Sequence, residues 1–114
     1  MIRMINPSSV QDMKNPHGVS FRKLYDGEYT QFVHINLLPG EKMKKHSTAV
    51  DEFFYVLEGT GVIEIDGERI EVAAEAFVEV PPHIPRYVVN ESNEPFRFLM
   101  VKALRPKGAF QVLD

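Results

Sequence analysis

A chain of 114 residues is long enough for one packed core and too short for two, so residues 1–114 are expected to form a single domain. Hydrophobic residues at 44% and charged residues at 25% are ordinary for a folded chain and argue against disorder. A formal net charge of -3 without a basic stripe argues against a nucleic-acid partner, and the absence of cysteine removes disulfides, thiolate catalysis and zinc-cysteine sites.

In chain order, MIRMINPSSV lacks the apolar core of a signal peptide, and no apolar run approaches the ~20 residues of a membrane helix. The expectation is a cytoplasmic protein with no membrane partner. Ser8-Ser9-Val10-Gln11 has the spacing of a capping box and Asn15-Pro16 stops any helix, which allows one short helical turn. From Val19 the pattern is one of strands. VSFRKLY and YTQFVHINLL flank Asp26-Gly27, a pair that tolerates the positive φ angles of a type I′ hairpin. In the second strand Val33, Ile35 and Leu37 share one face, and Phe32, His34 and Asn36 share the other. GVIEIDGERIEV repeats the hairpin signal at Asp66-Gly67. AFVEV then leads into a rigid loop, Pro81-Pro82-His83-Ile84-Pro85. RYVVN and FRFLMVKAL follow, the last strand stopping before Arg105-Pro106. Short strands rich in Val, Ile, Phe and Tyr at regular turn spacing predict an all-β sandwich or barrel.

The stretch from Gly40 to Gly59 organises the rest. It sets His46 and Glu52 on either side of a short polar turn. Phe53, Tyr55 and Leu57 then point one way, and Phe54 and Val56 the other. A strand apolar on both faces has to be covered on both, one by the barrel core and the other by a second copy of the chain, a homodimer. Lys42, Lys44 and Lys45 read as a solvated loop.

On these residues the chain resembles the small single-domain cupins. Gly40, His46, Thr48, Glu52 and Gly59 keep the spacing of the family's first motif, about residues 40–59, with Thr48 where a second histidine stands. Glu75, Pro81, His83, Arg86 and Asn90 follow the second motif, about residues 75–90, in which only the proline and the asparagine survive. The resemblance implies a cupin-type double-stranded β-helix, a jelly-roll barrel, usually dimeric and with a pocket inside. In metal-binding members the two motif-1 histidines, the glutamate and the motif-2 histidine hold one divalent ion. Carried over, His46 and Glu52 remain, while Thr48 and Arg86 stand where imidazoles would be.

An imidazole and a carboxylate suit Mn, Fe, Co, Ni or Zn. A guanidinium stays charged, cannot coordinate a cation, and grips carboxylates or phosphates. The first reading is therefore a small-molecule-binding barrel built around His46, Glu52 and Arg86, with Thr48 and His34 beside them, that accepts a polar or anionic metabolite. The alternative is a metal-dependent dioxygenase, isomerase or decarboxylase, with His46, Glu52 and His34 holding Mn, Fe, Ni or Zn. A third is a metal-free isomerase with His46 as base beside Arg86. His34 reads either as a pocket residue or as a surface or interface histidine, His83 as an exposed loop residue near the barrel mouth, and His17 as a turn residue. Glu79, between Val78 and Val80, is a candidate for facing the pocket. Phe54, Phe77 and Phe98 read as core or as pocket lining.

Overall fold

A computed structural model describes residues 1–104, in which nine strands form two antiparallel sheets. The strands are β1 (Ser20–Asp26), β2 (Thr30–Leu37), β3 (Lys42–His46), β4 (Asp51–Glu58), β5 (Gly61–Ile65), β6 (Glu68–Val72), β7 (Phe77–Val80), β8 (Arg86–Val89) and β9 (Phe96–Ala103). One sheet has the order β1-β2-β9-β4-β7 and the other β3-β8-β5-β6. From β2 onward the chain keeps crossing between the sheets, which rolls them into a jelly-roll barrel. The expected stop at Arg105-Pro106 lies outside the described residues.

Period-two alternation builds the core. Val33, Ile35 and Leu37 of β2, Phe54 and Val56 of β4, and Phe96, Phe98 and Met100 of β9 point inward against Met43, Ile63, Val72 and Val88 of the other sheet. Phe54 and Phe98 meet edge to face, with centroids 5.5 Å apart at 89°. Phe77 belongs to the outer face instead, where it is exposed and stacks on Phe53 at 5.6 Å. Glu79 pairs with Phe53 across the β4–β7 ladder and is also exposed, so it faces away from the barrel interior, against the reading that turned it toward a pocket.

The two Asp-Gly pairs behave differently. Asp66 (φ 51°) and Gly67 (φ 85°) are both left-handed, as a type I′ hairpin requires. Asp26 and Gly27 are not. The β1–β2 link is longer, the Gly27 N–H donates to the Thr30 carbonyl at 3.0 Å, and a register shift lies between Lys23 and Tyr25. A Cβ at Gly27 would meet the outer end of the exposed Tyr25 ring, which would have to swing aside. The expected capping box is replaced by a 3-10 turn over Pro7–Ser9, with the Ser9 hydroxyl donating to the Asn6 carbonyl at 2.8 Å.

That N-terminal segment is tied to β1. The Asp12 carboxylate accepts from the Phe21 N–H at 2.7 Å and the Ser20 hydroxyl at 3.0 Å, and these bonds lower its pKa. Arg22 donates to the Pro7 carbonyl at 3.0 Å. Farther along, Asn90 is fully buried. Its amide donates to the Leu37 and Glu94 carbonyls at 2.8 and 2.7 Å, and its oxygen accepts from the Ser92 N–H and hydroxyl. The surviving motif asparagine thus clamps two loops at one end of the barrel. At the two second-motif positions where the family has glycine, Glu75 (φ 74°) and His83 (φ 67°) keep the left-handed backbone without being glycine.

Candidate functional site

The inward phase of the large sheet turns polar at one end. Val33 is followed toward that end by Gln31, Met100 by Lys102, and Phe54 by Glu52; Gln31, Lys102 and Glu52 are neighbours in cross-strand register. Across from them β8 begins with Arg86, which pairs in register with His46, the last residue of β3. The loop between β3 and β4 brings Thr48 to the same corner.

Arg86 and Glu52 are both sealed from solvent. Arg86 Nη1 donates to Glu52 Oε1 at 3.1 Å and to Thr48 Oγ1 at 2.9 Å, while Nη2 donates to the Pro81 carbonyl at 3.1 Å. The Thr48 hydroxyl in turn donates a hydrogen bond to the Val50 carbonyl at 2.9 Å. Burial pushes the Glu52 carboxyl up, while Arg86, Lys102 and His46 pull it back; burial pulls Arg86 down, opposed by Glu52. Glu52 Oε2 and Arg86 Nε are buried with no partner among the described residues.

His46 is half-buried at the rim. Its Nδ1 lies 2.8 Å from the Lys44 carbonyl, which can only accept, so Nδ1 carries the proton and Nε2 the lone pair of the neutral ring. His17 sits beside it, ring centroids 5.1 Å apart, with its Nδ1 accepting from the Lys44 N–H at 2.8 Å. Its proton in the neutral form is therefore on Nε2. Burial, then the charges of His46, Lys44 and Lys102, lower the His17 pKa. His17 is no mere turn residue, and no spacing signal could have found it, because its partner is the backbone of a residue 27 positions away. Lys102 was also missed, although the alternation Phe96, Phe98, Met100, Lys102 points to it.

His34 does not join this group. Val33 and Ile35 point into the core, so the pleat turns His34 to the outer face, where it is buried at 4% exposure and accepts from Arg97 Nε at 3.1 Å. That corrects the expectation that His34 lies beside His46 and Glu52 as a ligand-binding residue or a third metal ligand. His83 is exposed, and its N–H donates to the Thr48 carbonyl at 2.7 Å.

Jelly-roll barrels with this motif corner define the cupins, and the family model for the Cupin domain matches residues 33–102. The chain belongs to the cupin family. It is 31% identical over 80 residues to the 3-hydroxyanthranilate 3,4-dioxygenase of Jannaschia sp. strain CCS1, a match covering 67% of this chain and 44% of that protein. The chain spans less than half the length of the curated relatives it matches. Among solved structures it is similar to TT1209 of Thermus thermophilus, with 27% identity, a TM-score of 0.79, and coverage of 92% of this chain and all of that one. A predicted oxalate decarboxylase of Thermotoga maritima shares the fold at 22% identity and a TM-score of 0.81, over 90% of this chain and all of that one.

The donor set does not fit the divalent ion that cupins often carry. A catalytic transition-metal site wants three protein ligands. Here Glu52 Oε1 is engaged by a guanidinium that reaches between Glu52 and Thr48. Among the described residues no cluster of three or more His, Asp or Glu side chains is arranged to hold a metal. No helix among them is long and apolar enough to cross a membrane.

Proposed function

We propose that this cupin is a small-molecule-binding module that works without a resident metal and takes a polar, anionic metabolite at the polar end of its barrel. The observation that carries the reading is Arg86, a fully buried fixed cation bonded to Glu52 and Thr48 at the corner where metal-binding cupins hold their ion. Because Glu52 and Arg86 are closed off from solvent, the ligand meets the rim first: the Lys102 ammonium, His17 Nε2–H as donor and His46 Nε2 as acceptor. Arg86 Nε and Glu52 Oε2 stand behind the rim as a second polar layer. Titrating a panel of small carboxylates and phosphate esters by calorimetry tests the reading. Binding that is saturable, insensitive to chelator and weakened by Lys102→Gln supports it; binding that appears only after loading with Mn, Fe, Ni or Zn overturns it.

The second reading, a metal-dependent dioxygenase, isomerase or decarboxylase, rests on the resemblance to the Jannaschia dioxygenase. Arg86, Thr48 and the outward-facing His34 count against it. A metal-free isomerase with His46 as base draws support from the Nε2 lone pair at the rim.

The cytoplasmic location and the homodimer belong to the same proposal. Tyr55 and Phe77 are exposed on the outer face of the large sheet beside half-buried Phe53, and a second copy would cover them. Sedimentation equilibrium gives the answer directly: a monomer at all concentrations sinks the dimer.

A further inference from the structure

The outer face of the large sheet carries a second polar site, separate from the barrel end. Two cross-strand rows lie side by side there, Ser20–Asn36–Arg97 and Arg22–His34–Leu99. The Pro7–Ser9 turn closes over them, leaving a cavity of about 340 Å³ whose lining includes Ser8, Ser20, Arg22, His34, Asn36 and Arg97. That volume is at the lower end of the ~300–1,000 Å³ typical of small-molecule sites.

Three buried polar atoms on these residues have no partner among the described residues: Arg22 Nε, His34 Nδ1 and Asn36 Oδ1. The first two are donors. His34 Nε2 accepts from Arg97 Nε at 3.1 Å, which puts the imidazole proton on Nδ1. Burial first, then Arg97 and Arg22, lower the pKa of that ring against an opposing pull from Asp12, which favours the neutral form. The Asn36 amide, turned about its last bond, offers N–H in place of oxygen. Each guanidinium already holds one carboxylate, Arg22 with Asp12 at 3.4 Å and Arg97 with Glu58 at 2.8 Å, yet both are only partly screened, at 29% and 34% side-chain exposure. A buried N–H without an acceptor is costly, and two converging cations beside it call for an acceptor that is also negative.

We infer that this cavity, formed by Arg22, His34, Asn36 and Arg97 under the N-terminal turn, binds a small oxyanion, a carboxylate or a phosphate group. Nothing in the inference depends on what occupies the barrel end. Arg22 Nε and His34 Nδ1–H are closed to solvent as the side chains stand, so the oxyanion first meets the exposed parts of Arg22 and Arg97. It takes the two orphan N–H groups when the Arg22 side chain turns aside, while Arg97 holds the imidazole through Nε.

The test uses the full chain with ¹⁵N-labelled histidine, titrated separately with inorganic phosphate and with succinate. The expected result is a saturable shift of the His34 Nδ1 resonance with at least one of them, which identifies the group preferred. Arg22→Gln should weaken that probe about ten-fold or more, the loss for one charge-assisted hydrogen bond. No saturable shift with either probe overturns the site, and this outcome is read on the wild type, so it stands even if the variant folds poorly. An undiminished shift in Arg22→Gln overturns it too. So does a shift that follows protein concentration instead of the probe, since that marks a second copy of the chain over the cavity.

Discussion

His17 and His46 are both fixed by one residue, Lys44, whose N–H donates to His17 Nδ1 and whose carbonyl accepts from His46 Nδ1, each at 2.8 Å. The two rings are held in complementary neutral tautomers, one presenting Nε2–H and the other an Nε2 lone pair. A ligand with a hydroxyl beside an acid group can use both at once. Protonating His17 on Nδ1 would break its bond to the Lys44 N–H.

The first prediction concerns pH. Burial is the leading cause of the lowered pKa of both His17 and His34, so near and below pH 6.5 the unfolded chain binds more protons at these rings than the folded one. Their contribution to stability is present above about pH 6.5 and is lost as pH falls toward the folded-state values. The thermal midpoint should therefore drop on acidification through this window, and the slope should be shallower in a His17→Gln, His34→Gln double variant. Equal slopes in the two proteins would rule out these rings as the cause.

The buried ion pair gives the second. Glu52→Leu leaves the Arg86 guanidinium without its carboxylate in the interior, and should cost about 3–5 kcal/mol in urea denaturation. Adding Arg86→Met should recover much of that loss, because an apolar pair of similar volume removes both desolvation penalties. A double variant as unstable as the single one would mean that the bonds of Arg86 to Thr48 and Pro81 matter more than the pair.

A third prediction tests what Arg86 and Thr48 displaced. Thr48→His combined with Arg86→His rebuilds the family's four-ligand set with His46 and Glu52. The double variant should retain stoichiometric Ni or Zn through gel filtration while the natural chain does not. Equal retention by the natural chain would point to a site other than this corner.

The left-handed backbone at His83 supplies the fourth. A side chain in that conformation costs about 1–2 kcal/mol relative to glycine. His83→Gly should raise stability by about 1 kcal/mol after glycine's larger unfolded-state entropy is set against it. His83→Ala should give no gain; a gain equal to that of glycine would show the imidazole, and not the backbone, to be the destabilising feature.

Much of the fold was legible because period-two alternation and turn residues are local. Val33, Ile35 and Leu37 were grouped on one face of β2, which is the core face, and the same alternation put His34 opposite them with Phe32 and Asn36. What the sequence could not convey was that Pro7–Ser9 folds over that outer face and turns a surface histidine into a buried one. The motif spacing brought out Glu52, Thr48 and Arg86, whose contacts follow from the barrel closing. The His17 contact is set by tertiary packing of the turn before β1 against strand β3, which leaves no pattern. The Asp26-Gly27 turn failed for a local reason: the dipeptide allows type I′, but β1 ends at Asp26 and β2 starts at Thr30, a link too long for a two-residue turn, with a register shift just before it.

Strand β9 contributes to both proposed sites, with Lys102 on its inward phase and Arg97 on its outward phase. A strand is two-sided, so each binding chemistry can drift by point substitution without disturbing the other. An insertion or deletion of one residue between Arg97 and Lys102 has no such freedom. It would send either the ammonium outward or the guanidinium into the apolar core, so one of the two sites would be lost whichever end of the strand kept its register.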